Sequence, residues 1–303
     1  MPNHIITTII ADNSETLREK LVREYSKEEI TKIKEKYPND NTEVGDLKVD
    51  FNILLPRPKD LDIRSGINNW DEDRYSMHTE YMQYLKNEIA PKLSAYLQEG
   101  DTQDEFVKKG LQVLSASDKA RIDLLGNNGH EADYENLLRG FYNHERYGSQ
   151  DRYNWSITNW GTKWNAYDFE YYLENGFDGS LTFQTAWAYP EGVFEELSKY
   201  TPITFMYADE DTGSNFGVVR MENGVITKKY LGKTGNNLQN IGYALAIMGY
   251  DEDYVSEYYN EDNYTLDEIK EYFHEDSYED VILAIQDNMN YAKRSIASVG
   301  LPV

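Results

Sequence analysis

The run Asn159-Trp160-Gly161-Thr162-Lys163-Trp164-Asn165-Ala166-Tyr167-Asp168 constrains this chain more than any other, together with Phe183-Gln184-Thr185-Ala186-Trp187 downstream. Two indoles flank one turn-permissive glycine, and a third closes a β-prone segment. Rings this large need apolar company, so Trp160, Trp164 and Trp187, with Gly161 between the first two, are expected to build one aromatic cluster in a core. The functional alternative is a platform on which bases stack. The chain lacks the basic groove such platforms use, which favours core packing.

The segments around this motif alternate in character. His4–Ala11 is β-branched and reads as a strand. A charged stretch from Glu15 to Lys36 follows, with a capping box at Ser26-Lys27-Glu28-Glu29 and a thin apolar stripe of Leu17, Leu21, Ile30 and Ile33. Val49, Phe51 and Ile53 alternate with polar residues, which predicts a strand ended by Pro56 and Pro58. From about Asp71 to Asp151 the period becomes helical, as in Tyr81, Leu85, Ile89, Leu93 and Leu97. Strands return at Trp164–Tyr172 and Ser180–Tyr189 around the turn-rich 174–179. They continue at Ile203–Tyr207 and in a hairpin, Phe216–Met221 and Val225–Leu231, about Asn223-Gly224. Pro190 opens a short helix with Val193, Phe194 and Leu197 inward. Beyond that lie short helices, one capped by Asn236, one boxed by Thr265-Leu266-Asp267-Glu268 and one capped by Ser277.

The order of these pieces resembles the YubB-like ferredoxin-like domain family of phage and plasmid proteins. The resemblance rests on the opening strand, Phe51-Asn52-Ile53-Leu54-Leu55-Pro56-Arg57-Pro58, Asn159–Trp164, Phe183–Trp187, the Pro190–Tyr200 helix and the Ile203–Tyr207 strand. It covers roughly 1–60 and 153–232 and implies an α+β fold with a ferredoxin-like mixed or antiparallel sheet; the helical insertion and the acidic helical C-terminal arm lie outside it and are read from the residue pattern. The expected parts are a core of 1–70 and 152–232, an insertion of 71–151, and a Tyr-rich arm or subdomain of 233–303. It implies no catalytic residues and a mobile-element setting.

The remaining sequence is poor in recognisable chemistry. There are no cysteines, which removes disulfides, thiolate nucleophiles and thiolate-bound zinc. His4, His78, His130, His144 and His274 show no metal spacing. His130 with Glu131 and Asp133, and His144 with Glu145, are the neighbours from which an acid–base site could be assembled. Gly232-Lys233-Thr234 imitates the end of a phosphate loop, but Thr227 stands where the loop needs glycine. Asp209-Glu210-Asp211-Thr212-Gly213 lacks the glycine and glutamate of a calcium loop. No metal site and no cofactor are expected. The start carries no leader pattern and no apolar run reaches membrane-spanning length, so the host cell cytoplasm is the expected location, with no membrane contact.

Charge is the other guide. The chain of 303 residues carries −24. Such a chain repels nucleic acid and favours cationic partners. Residues 251–290 hold fourteen Asp or Glu against one Lys. The candidate partner-binding set is Asp251, Glu252, Asp253, Tyr254, Glu257, Tyr258, Tyr259, Glu261, Asp262, Tyr264, Glu271, Tyr272, Glu275 and Asp276, in which tyrosine supplies contact area. Three readings are open: imitation of DNA, docking on a basic surface without imitation, or an ordinary acidic helical subdomain. The leading expectation is a non-enzymatic inhibitor of a host nuclease or restriction complex, homo-oligomeric and without direct nucleic-acid binding. An enzyme using His130 or His144 on nucleotides or a signalling molecule, or a structural or regulatory phage protein, is the alternative.

Overall fold

The computed structural model describes residues 3–64, 80–126, 129, 131–170, 179–211, 213–230 and 237–302. The chain divides into two compact units, Met1–Pro56 with Trp160–Val303, and Arg57–Asn159. His78, His130, the turn at 174–178, Gly232–Thr234 and the Asn236 cap lie outside the described residues.

The first unit opens with β1 (His4–Ala11), α1 (Ser14–Leu21), β2 (Val22–Glu24), α2 (Lys27–Lys36) and β3 (Leu47–Val49). The capping box at Ser26 forms, with Glu29 answering the Ser26 backbone. The strand expected through Ile53 does not run that far: β3 ends at Val49 and Phe51–Ile53 is a 3-10 turn. Asp50 is the cause. Its carboxylate accepts the Asn52 backbone N–H at 3.0 Å and the Asn165 amide at 2.6 Å, and it pairs with Arg23, which bends the chain and buries Phe51.

The second unit contains α3 (Glu80–Tyr84), a π-helical turn (Leu85–Ile89), α4 (Ala90–Ser94), α5 (Gln103–Val113), α6 (Ala116–Gly126) and α7 (Tyr134–Tyr147). Leu85, Ile89 and Leu93 face a core shared with Phe106, Ile122, Leu137, Leu138 and Phe141. This unit begins well before the expected residue 71. Gln103 and Asn143, both buried, donate their amides to the Asp60 carbonyl at 2.9 Å, tying the post-proline segment to α5 and α7. α8 (Arg152–Trp160) then returns the chain to the first unit.

There β4 (Tyr167–Glu170), β5 (Ser180–Ala186), β6 (Ile203–Asp209), β7 (Phe216–Glu222) and β8 (Val225–Lys229) join β1 in one sheet ordered β4-β5-β1-β6-β7-β8. Every neighbouring pair is antiparallel. The β7–β8 turn places Asn223 at φ 52° and Gly224 at φ 80°, the left-handed pair of a type I′ hairpin. One sheet face packs Phe183 and Phe205 on Phe194 of α9 (Glu191–Ser198), with Phe51 against Phe183.

The other face is covered by α10 (Asn237–Met248) and α13 (Tyr278–Ser298), with α11 (Glu252–Tyr258) and α12 (Leu266–Phe273) between them in sequence. Met206, Ala208, Phe216 and Val218 share one core with Leu238, Leu245, Ile285, Met289 and Ile296. The expected arm is therefore no separate body. Strand β6 is buried along its whole length, so its second face needs a cover, and α10 and α13 supply it. Gly242 marks the crossing: a β-carbon there would lie 2.7 Å from the Ile285 carbonyl oxygen.

Candidate functional site

Of the three tryptophans expected in one aromatic cluster, only the first goes inside. Trp160 is fully buried, edge-on to Phe51, and its indole N–H donates to the Leu55 carbonyl at 3.0 Å. Gly161 sits at φ 86°, where a β-carbon would meet the Glu191 backbone nitrogen at 2.8 Å. Trp164 and Trp187 are 49% and 48% exposed, which corrects the single-cluster expectation. Gly161 turns the chain so that the second indole leaves the core. Trp187, at φ 72°, donates its backbone N–H to the Asn3 carbonyl, and the Lys163 ammonium lies 4.6 Å from its ring centroid. Trp164 meets Tyr167 edge-on, and the Tyr167 hydroxyl pairs with His4 Nδ1 at 2.7 Å. Burial, with Asp168 and Glu210 nearby, pushes the Tyr167 hydroxyl up to about 12.

The acidic segment gives the larger surface. Asp251 caps α11 by accepting the Tyr254 N–H at 2.9 Å, and Glu252, Asp253, Tyr254, Glu257 and Tyr258 follow on that helix. Glu261, Asp262 and Tyr264 occupy the connection to α12, Glu271 and Tyr272 its last turns, and Glu275 and Asp276 the link to α13. The carboxylates from Asp251 to Asp280 are exposed, apart from the half-buried Glu275. None of them forms an ion pair with a described lysine or arginine. By contrast Arg220 reaches both Asp12 and Glu222 elsewhere on the unit.

The tyrosines form a ladder beneath these charges. Tyr250 stacks on Tyr254 at 4.0 Å between centroids, and Tyr254 on Tyr258 at 5.7 Å, the one-turn spacing of a helix. Tyr258 and Tyr259 continue to Tyr264, and Tyr264 meets Phe273. Tyr259 is buried under the others, so it supports the face and does not present itself to a partner. Burial and the Tyr258 hydroxyl hold Tyr264 up at about 12, so its ring adds no charge near neutrality.

A cavity of about 630 Å³ opens beside the ladder, lined by Gly213 and Ser214 of the β6–β7 loop, Ile241 of α10, and Asn263, Tyr264, Glu268, Tyr272 and Phe273. Sequence alone marks Glu268 only as part of a helix cap and gives Ser214 no role. Topology brings them together, since the α12 cap and the loop are far apart in the chain. Among the described residues no group of three His, Cys, Asp or Glu converges as a metal ion needs, and no helix is long and apolar enough to cross a membrane. His144 lies within α7 and His274 closes α12 in a left-handed conformation.

No curated protein and no solved structure matches the chain. Residues 159–274 match the family described as "Ferredoxin-like domain in Api92-like protein", a span from Asn159 at the head of the tryptophan motif to His274 at the C-cap of α12, and the chain thus carries a ferredoxin-like domain.

Proposed function

We propose that this protein is a YubB-like accessory protein of a phage or plasmid that inhibits a host defence complex by binding it, without turnover. The face of α11, α12 and their connections is the contact surface, and a basic patch on a nuclease or restriction complex is the partner. One observation carries the reading: the exposed carboxylates of 251–280 form no ion pair with a described lysine or arginine, Lys270 being the one cation in the segment, while standing on a ladder of tyrosines. Unpaired like charges destabilise a fold by mutual repulsion, and a cationic partner turns that cost into attraction. Tyrosine adds rigid contact area. Self-association and a cytoplasmic site of action belong to the same proposal.

The test is affinity capture of purified defence complexes at rising salt, with a variant carrying Asp253→Lys, Glu257→Lys and Glu271→Lys. Capture that weakens steeply with salt and is lost in the variant supports the reading. Capture unchanged by charge reversal removes the face, and a turnover product removes the non-enzymatic class. Competition by duplex DNA separates imitation of DNA from docking elsewhere on the partner.

A further inference from the structure

We infer that the cavity between α12 and the β6–β7 loop receives an arginine side chain presented by a protein partner. This deepens the proposed function and rests on its reading that the partner surface is basic. The lining residues set the chemistry. Tyr264, Tyr272 and Phe273 offer aromatic walls, Tyr272 being 62% exposed, and Glu268 offers a carboxylate at the rim. Both capping bonds from Thr265, the backbone N–H at 2.8 Å and the hydroxyl at 2.9 Å, go to Glu268 Oε2. These bonds hold the carboxyl below its ordinary range and orient it, while Oε1 faces no described donor. On the loop side the Ser214 hydroxyl lies 3.1 Å from both oxygens of the buried Asp209 carboxyl, so a second acidic group stands one side chain behind the lining.

No lysine or arginine lines the cavity, and the surrounding carboxylates disfavour phosphate or any other anion. A cation with a flat, weakly hydrated face fits best. Guanidinium stacks on aromatic rings and meets a carboxylate through its fork of N–H donors, whereas an ammonium is a strongly hydrated point charge. The volume lies within the range of about 300–1,000 Å³ common to small-ligand sites. That is room for the side chain with its flanking backbone.

The test uses the full chain and three capped tripeptides, Gly-X-Gly with X arginine, lysine or citrulline. Binding is followed by calorimetry and by amide shifts in two-dimensional NMR. The arginine peptide is expected to bind about tenfold tighter than the lysine peptide, a difference of one decade in the dissociation constant. Its shifts should be confined to Ser214, Asn263, Tyr264 and Tyr272, and citrulline should not bind. Glu268→Gln keeps a capping-box side chain and so the helix. It should weaken the arginine peptide about five- to tenfold, and Tyr272→Ala should weaken it by a similar factor. Equal binding of arginine and lysine with shifts spread over the acidic face, or no binding of the arginine peptide, overturns the inference. If the pocket fails while a defence complex is still captured, the docking face stands alone. If arginine binds in the pocket but no complex is captured, the pocket survives and the proposed function falls.

Discussion

The indole N–H of Trp160 donates to the Leu55 carbonyl oxygen across 3.0 Å, which joins the tryptophan motif to the segment just before Pro56. Both ends lie in the sheet unit, and the ring is fully buried against Phe51. Trp160→Phe keeps apolar volume but leaves that carbonyl without its donor, a loss of about 1–3 kcal/mol. Trp160→Ala adds a cavity and should cost about 3–5 kcal/mol. Urea unfolding of the two variants checks both the sign and the order.

Trp187 is expected to behave differently. Its ring is half exposed and its backbone sits at φ 72°, a region costly for an aromatic residue. Trp187→Gly relieves the strain but gives up the ring's buried half and frees the unfolded chain, so the opposing effects should leave the unfolding free energy changed by only about 1 kcal/mol, far less than Trp160→Ala. A clear destabilisation would mean that the Lys163 contact and the ring's packing outweigh the strain.

Gly242 tests how tightly the C-terminal helices bind the sheet. A methyl there meets the Ile285 carbonyl oxygen and the Met289 nitrogen within 3 Å, and both belong to rigid helix backbone. Gly242→Ala should therefore destabilise by about 1–3 kcal/mol despite its better helix propensity. Gly249→Ala, with open space around its β-carbon but φ 80°, is the control in which only backbone strain acts. Thermal unfolding of both separates crowding from strain.

Acid sensitivity follows from Asp118 in the helical unit. Burial pushes its carboxyl up, but hydrogen bonds from Lys92, Ser115 and Tyr84 outweigh this and hold it at about 2. An unfolded aspartate titrates at about 3.9, so as pH falls the unfolded chain takes up the proton first. The stabilisation is complete above that value and is lost as pH drops to about 2. The gap in melting temperature between the native chain and Asp118→Asn should narrow over this window. Glu29 adds to the same trend, since its bond to Arg23 depresses it strongly against burial. A gap that stays constant from about pH 5 to about pH 2 would assign the Asp118 effect to packing.

Local patterns were legible wherever one short segment settles its own shape. The Ser26 and Thr265 capping boxes, the Asn223-Gly224 turn and the helical row Leu85, Ile89 and Leu93 are all of this kind. The α+β class with a ferredoxin-like sheet follows from such pieces in order, and the carboxylates and tyrosines of 251–280 could be marked from composition alone.

What only the tertiary structure decided is where rings and helices end up, because burial depends on partners distant in the chain. Three tryptophans look alike in sequence, yet Trp160 finds Phe51 and Leu55 while the glycine after it turns Trp164 toward solvent. The alternation at Val49, Phe51 and Ile53 predicted a strand, and Asp50 overrode it with bonds to Asn52, Asn165 and Arg23. The C-terminal helices cover the second face of β6 and β7, since buried strands need apolar cover on both sides. That same packing sets Glu268 opposite Ser214 and opens the cavity between them.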